Sequence, residues 1–372
     1  MDLNSKIYVA GHTGLVGSAI WKNLKSKGYK NLIGRRFSEL NLLDQKATAR
    51  FFEEEQPDYV FLAAAKVGGI VANNTYRGEF VFENLTIQNN VIHNAWKSGV
   101  EKLLFLGSTC IYPKESPQPM KEEYLLTSPL EYTNEPYAIA KIAGIKLCES
   151  YNLQYGTNFI SVMPTNLYGP NDNFDLEKSH VLPALLRKIY LAKSLEENNW
   201  GAIRKDLQKR PIENVDGEAA QHEMEAVLNK YGVGKLNDTY SVEIWGTGKP
   251  KREFLWSEEM ADACVFLMEN VDFKDVLKEM QEYYNEDSSG KPKGEIRNTH
   301  INIGTGNEIS IKDLAELIKD TVGFNGELVF NTSKPDGTMR KLTDPGKLNA
   351  LGWKHKIDIE EGVRKIYEWY KS

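Results

Sequence analysis

Tyr137 and Lys141 stand four residues apart in the run Glu135-Pro136-Tyr137-Ala138-Ile139-Ala140-Lys141. On a helix that spacing puts both side chains on one face, and Pro136 suits a first-turn position. An ammonium beside a phenol favours the phenolate and draws the tyrosine toward the working range of an acid/base. Taken alone such a pair arises often by chance, but two further groups give it context. Ser108 lies in Leu106-Gly107-Ser108-Thr109-Cys110-Ile111-Tyr112, at the end of an apolar run that predicts a strand, where a hydroxyl faces the ligand crevice of an α/β sheet. Gly11-His12-Thr13-Gly14-Leu15-Val16-Gly17 follows the first predicted strand and opens a helix. Its glycines allow a tight turn, close approach of backbone to a pyrophosphate, and close packing of helix on sheet. The helix N-terminus adds unpaired N–H groups and a positive dipole for the phosphates. The spacing is GxxGxxG, not the GxGxxG of ordinary dinucleotide folds. After the second predicted strand come Arg35 and Arg36, which suit the 2′-phosphate of NADP where an acid would suit the ribose of NAD. Asp44, a little farther on, is a weaker candidate for an adenine contact.

These residues need a scaffold, and the first half of the chain supplies its pattern. Short apolar runs at residues 6–10, 31–34, 59–64, 103–107 and 159–163 predict strands, and helical spacing marks residues 14–26, 81–97 and a helix beginning near Tyr137. Alternation of this kind implies a parallel sheet with right-handed crossovers. The expected fold is α/β, a Rossmann-type doubly wound parallel sheet with a smaller C-terminal α/β substrate lobe. Residues 1–168 form the dinucleotide domain, to which segments near 256–270 and 297–304 return, and residues 169–372 form mainly the substrate lobe. In the second half of the chain a helix is expected at 182–193, a strand at 301–303, and helices at 312–322 and 359–370. Two polar segments, 196–237 and 272–294, read as surface insertions, with a loop tip at 285–290.

Composition excludes several alternatives. At 372 residues the chain can bury a large core, with 41% hydrophobic and 26% charged residues. A net charge of -6 argues against nucleic acid, although clustered Arg and Lys can still bind a small anion. Cys110, Cys148 and Cys264 are too few and too scattered for a disulfide framework or a zinc site. No apolar run approaches the roughly 20 residues of a membrane helix, and the N-terminus shows no signal-peptide pattern. The expectation is a cytoplasmic protein without membrane or nucleic-acid partners.

The glycine turn, Ser108 and the Tyr137/Lys141 pair together resemble the extended short-chain dehydrogenase/reductases. That resemblance implies Tyr137 as proton donor to a carbonyl, Ser108 as hydrogen-bonding partner of the same oxygen, and Lys141 as ligand of the nicotinamide ribose. Five further stretches are similar to the GDP-fucose synthase family within that group: 63–70, 164–172, 179–185, 245–248 with 252–254, and 333–337. The match spans nearly the whole chain apart from the two polar segments. It implies a bifunctional enzyme that takes a GDP-sugar, GDP-4-keto-6-deoxy-mannose, inverts it at C3 and C5, and reduces C4 with NADPH. Cys110 would be the epimerisation base and His180 the acid. The resemblance further implies cofactor contacts from His12, Thr13, Leu15, Val16, Asn41, Leu106, Gly107, Pro164, Thr165, Asn166, Leu167 and His180. Substrate contacts fall to Lys188, Trp245, Arg252 and Asp336, of which the two cations suit a diphosphate and the indole a stacking surface. No metal is implied, and a homodimer would form on the helices at 81–97 and 137–154. Two positions depart from the pattern: Thr13 stands where some relatives carry a basic residue, and Phe37 follows the arginine pair. A plain C4 reductase or C4 epimerase of another nucleotide sugar would need Ser108, Tyr137 and Lys141 but not the Cys110/His180 pair. A non-catalytic dinucleotide-sensing protein would need only the glycine turn, and the intact Tyr137/Lys141 pair argues against it.

Overall fold

In the first strand, β1 (Ile7–Ala10), side chains alternate between the two faces of the sheet, and all four are buried. Ile7 and Val9 join one apolar cluster, Tyr8 and Ala10 another, so the strand is covered on both sides, as a parallel strand requires. The computed structural model describes residues 1–280, 285–286, 292–293 and 295–372, apart from the side chains of residues 70, 71, 285, 286, 292 and 293. Six strands form one parallel sheet in the order β13-β5-β4-β3-β1-β2: β2 (Leu32–Ile33), β3 (Tyr59–Leu62), β4 (Lys102–Leu106), β5 (Phe159–Pro164) and β13 (Ile301–Ile303) beside β1. On one face lie α1 (Leu15–Ser26) and α9 (Ser257–Asn270), which bury Ile20, Leu24, Met260 and Val265. On the other lie α2 (Gln45–Glu55), α4 (Arg77–Lys97) and α5 (Glu135–Tyr155), with Phe52, Val91, Ile92 and Ile145 inside. The short helix α3 (Ile70–Thr75) precedes α4, and β6 (Asn166–Tyr168) pairs in parallel with β10 (Phe254–Trp256).

The chain divides into two units. The first comprises residues 1–169, 253–307 and 342–357, and the second residues 170–252, 308–341 and 358–372. The first includes α10 (Phe273–Glu279), the paired β11 (Asn285–Glu286) and β12 (Pro292–Lys293), and α12 (Gly346–Ala350). The second holds α6 (Val181–Glu196), α7 (Trp200–Lys209), α8 (Gln221–Lys230), α11 (Ile311–Val322) and α13 (Ile359–Lys371). Its strands β7 (Val233–Leu236), β8 (Thr239–Trp245) and β15 (Glu327–Asn331) form one small sheet, and β9 (Lys251–Arg252), β14 (Ile309–Ser310) and β16 (Arg340–Lys341) another.

One gap in the sequence reading is filled and two expectations are corrected. Residues 45–55, unassigned from sequence, form α2, whose Thr48, Phe51 and Phe52 are spaced to bury one helical face. Residues 196–237 are not solvated excursions. In them α7 and α8 bury Ile203, Leu207, Met224, Val227 and Leu228, and Asp206 makes a buried ion pair with Arg187 at 2.9 Å. Sparse apolar residues at helical spacing suffice there because the segment covers the core with one face only. In the second polar segment, α10 buries Val276, and the Asp275 carboxylate accepts the Asp272 backbone N–H at 3.0 Å. Of the expected loop tip, Asn285 and Glu286 pair antiparallel with Lys293 and Pro292, while residues 287–290 lie outside the described residues.

Candidate functional site

The strand order turns back at β1, which lies between β2 and β3, and in such sheets ligands bind at the carboxyl ends of the strands beside that point. The glycine turn sits there. Gly11 has φ +84, and a Cβ on it would stand 2.8 Å from the backbone nitrogen of Ala64. A Cβ on Gly17 would stand 2.0 Å from the Gly11 carbonyl oxygen, so only glycine lets α1 begin this close to the turn. Gly14 donates its N–H to Gly11 O (3.0 Å) and is the N-cap of α1, with no side chain capping it. The first N–H groups of α1 are thus left for an anion, and the cradle fits the diphosphate of a dinucleotide. His12 packs tilted against Trp21 at 5.3 Å, and a Cβ on Gly34 would strike its ring at 2.5 Å.

The arginine pair divides its work. Arg35 donates to Glu55 Oε1 (2.5 Å) and to the Gly34 carbonyl (3.1 Å), and lies over the Phe51 ring. Arg36 is exposed, and Glu39 holds its backbone N–H at 2.6 Å. Oδ1 of Asp44 accepts the N–H groups of Lys46 and Ala47, both at 2.9 Å, and caps α2. Asn41 accepts the Leu43 N–H at 3.0 Å just before that cap.

The catalytic candidates of the first unit come together. After β4 the chain makes a single 3-10 turn, Thr109–Ile111, and Ser108 Oγ accepts the Cys110 N–H at 3.4 Å. The same hydroxyl hydrogen-bonds Tyr137 at the start of α5. Tyr112 closes the turn, is buried, and donates its hydroxyl to Asn302 Oδ1 at 2.5 Å. The edge of Phe80 meets the Tyr137 ring at 6.3 Å. Lys141 is buried, donates to the Leu106 carbonyl at 2.8 Å, and stands 5.7 Å from the centre of the Tyr137 ring. Burial, then the neighbouring Cys110, raises the Tyr137 pKa well above its usual value, against the pull of the Ser108 bond. The expectation that Lys141 lowers it is therefore corrected: the ammonium points at Leu106, and desolvation of the phenol dominates. A phenol that keeps its proton is the form a proton donor requires. Burial brings Lys141 itself down to about 8.

Glu253, which the sequence marked only as part of a motif, proves to be a fully buried carboxylate. One oxygen accepts the N–H groups of Thr305 (2.6 Å) and Gly306 (2.7 Å), and the other accepts the N–H (2.9 Å) and hydroxyl (2.5 Å) of Thr343. Its backbone carbonyl accepts Asn166 Nδ2 at 2.8 Å and Thr165 Oγ1 at 3.5 Å, beside Pro164 and Leu167 in the run expected at the cofactor. The signal available was a lone acid at the head of the apolar run 254–256. A glutamine here must turn its NH2 toward one set of N–H donors, so Glu253→Gln is expected to cost ~2–3 kcal/mol in denaturant unfolding. A loss below ~0.5 kcal/mol, the size of a neutral surface change, contradicts this account of the cage.

In the second unit, His180 is the exposed N-cap residue of α6, and its side chain caps nothing. Desolvation and the Lys341 ammonium hold its imidazole below the usual range. Lys188 donates to the Glu243 carbonyl at 3.1 Å, and burial pulls it down to about 8. Trp245 is 61% exposed, with the Lys334 ammonium 5.2 Å from its ring centre. The Asp336 carboxylate accepts the Thr247 N–H (2.8 Å) and hydroxyl (2.7 Å), which braces the turn after Trp245, where Gly246 has φ +81. Arg252 is half-buried on β9. Among the described residues no cluster suits a metal ion.

The chain belongs to the NAD dependent epimerase/dehydratase family, whose model matches residues 7–212 and 209–281. It is 48% identical to a putative GDP-L-fucose synthase of Arabidopsis thaliana, an alignment that covers 100% of this chain and 93% of that protein. It is 46% identical to the GDP-L-fucose synthase of Escherichia coli strain K12, over 98% of this chain and 96% of that one. Among solved structures, a GDP-6-OMe-4-keto-L-xylo-heptose reductase from C. jejuni superposes with a TM-score of 0.87 at 48% identity, covering 100% of this chain and 99% of that one.

Proposed function

We propose that the protein is an NADP-dependent epimerase and reductase that converts GDP-4-keto-6-deoxy-D-mannose to GDP-L-fucose, inverting C3 and C5 and reducing C4. The observation that carries this reading is the grouping of Ser108, Cys110 and Tyr137 around one hydroxyl, in a chain 45–48% identical to several GDP-L-fucose synthases. The 4-keto group acidifies the protons on both neighbouring carbons. One environment that stabilises the oxygen therefore serves both enolisation and reduction. Cys110 takes the proton from C3 or C5, and His180 returns one to the opposite face. Ser108 and Tyr137 hold the C4 oxygen, and Tyr137 gives it a proton as it becomes a hydroxyl. The bound dinucleotide supplies the hydride. Lys141 fixes the nicotinamide ribose, while Lys188 and Arg252 hold the diphosphate, and Trp245 gives a stacking surface on the turn that Asp336 braces.

Incubation with GDP-4-keto-6-deoxy-mannose and NADPH, with the product identified by NMR, tests the assignment: GDP-L-fucose supports it, and a reduced but unepimerised sugar refutes it. The second reading is a 4-reductase of a GDP-heptose, favoured by the equal identity to the C. jejuni reductase. It predicts faster turnover of a 4-keto-heptose and no use for the Cys110/His180 pair.

Two lysines set the expected alkaline limb. A lysine whose pKa is lowered to about 8 carries its charge below that pH and loses it above, and both Lys141 and Lys188 stand there. Accordingly kcat/KM is expected to fall as pH rises through about 8. Lys188→Arg should remove the limb from KM and leave it in kcat. A profile flat across that pH contradicts both assignments.

The same reading includes a homodimer. Phe82 of α4 and Ile139 and Leu153 of α5 are exposed, and a shallow groove lined by Val81, Pro136 and Ile139 runs between the helix starts. Two such faces pack self-complementarily about a two-fold axis. Light scattering at micromolar protein is expected to give twice the chain mass; a monomer mass counts against it. No helix among the described residues is long and apolar enough to cross a membrane. We assign the enzyme to the cytoplasm, where three buried thiols stay reduced.

A further inference from the structure

Phe37 is 74% exposed, the most exposed large hydrophobic side chain among the described residues. It comes just after β2, about 20 residues beyond Gly17, the separation at which dinucleotide folds place the residue that reads the adenosine ribose. Its neighbours are already committed. The Arg35 guanidinium is bound to Glu55 and the Gly34 carbonyl, and it covers Phe51. Glu39 folds residues 36–40 into a turn by accepting the Arg36 N–H, and the N–H groups of Glu39 and Leu40 both return to the Arg36 carbonyl at 2.9 Å. That turn presents two adjacent side chains to solvent, a guanidinium and a phenyl ring. No ion pair engages the Arg36 guanidinium among the described residues. Thr13, exposed in the glycine turn, offers no second cation.

We propose that Phe37 is the stacking platform for the adenine ring of the cofactor, and that Arg36, not Arg35, holds the 2′-phosphate. The proposal rests on the cofactor being NADP. A phenyl ring left in water is costly, and a purine is a flat partner that covers its face whatever phosphate the adjoining ribose carries. The guanidinium gives a phosphate paired, charge-assisted hydrogen bonds that a ribose hydroxyl cannot match. Adenine affinity and 2′-phosphate discrimination are thereby divided between two neighbouring residues.

Calorimetric titration of the full-length protein with NADPH, NADH, ADP and 2′,5′-ADP separates the two roles. Phe37→Ala is expected to weaken all four ligands by the same factor, roughly tenfold, the size of one base–aromatic stack. Phe37→Trp should restore them. Arg36→Ala should weaken NADPH and 2′,5′-ADP by at least about tenfold and leave NADH and ADP unchanged; Arg35→Ala should leave the ratio between the two classes intact. Phe37→Ala with unchanged ADP affinity overturns the platform, and all the more so if the protein's mass in solution changes instead, since the ring then covers a second copy. Equal NADPH and NADH affinities after Arg35→Ala overturn the assignment of Arg36. If the unaltered protein binds NADPH tightly while these variants are silent, the proposal fails and the cofactor reading stands. If it binds neither dinucleotide, the cofactor reading fails too.

Discussion

Tyr137→Phe is expected to abolish NADPH oxidation, by at least ~100-fold, while NADPH binding changes little. In the proposed reaction the phenol protonates the C4 oxygen that it holds together with Ser108, and its raised pKa means that the proton is present throughout the neutral range. The ring itself stays, so the edge contact with Phe80 and the start of α5 are preserved. Ser108 loses one partner but keeps the Cys110 N–H. Stopped-flow absorbance of NADPH gives the rate, and fluorescence titration gives the affinity. A variant that retains a tenth of the rate removes Tyr137 from the role of proton donor. Exchange of the C3 and C5 protons should persist at a reduced rate, because enolisation needs the oxygen to be stabilised but not finally protonated.

The second large effect separates epimerisation from reduction. Cys110→Ser is expected to suppress exchange of the C3 and C5 protons with solvent by at least ~100-fold. Thiol and hydroxyl are similar in size, and the buried site at the 3-10 turn accepts either, but the hydroxyl is far less acidic. His180→Gln should allow proton removal yet impair its return on the other face, so unepimerised or half-epimerised reduced products accumulate. Neither substitution removes Tyr137 or Lys141, and losing the Cys110 thiol relieves only the smaller of the two influences that raise the phenol's pKa, so both variants should still reduce an already epimerised 4-keto sugar. Wild-type exchange rates in both would make the pair structural and reduce the enzyme to a C4 reductase.

The parts of this architecture that show in the sequence are those with a strong local signature. The apolar runs of β1, β3, β4 and β5 mark a sheet buried on both faces, and the turn at Gly11 has a glycine where no Cβ fits. The four-residue spacing of Tyr137 and Lys141 places them on one helix, as expected. What the spacing does not carry is direction. Lys141 turns to the Leu106 carbonyl, so burial rather than the ammonium governs the phenol. Arg35 likewise looks identical to Arg36 in sequence, and only the fold reveals Glu55, 20 positions on, as its partner. Asp44 carries the signature of a helix cap, but α2 behind it was hidden by its many charged residues. The same cause concealed α7 and α8, which bury only two and three apolar residues respectively. For Glu253 the local pattern showed a lone acid but not its partners, because its donors come from residues 305, 306 and 343.

In the proposed reaction one site performs both proton exchange beside the carbonyl and reduction of the carbonyl. Turnover of GDP-4-keto-6-deoxy-mannose with unlabelled NADPH in deuterated water, followed by NMR of the product, tests it in a single reaction. Deuterium at C3 and C5, protium at C4, and the configuration of GDP-L-fucose are expected. Protium retained at C3 and C5 in a reduced product would contradict the proposed reaction.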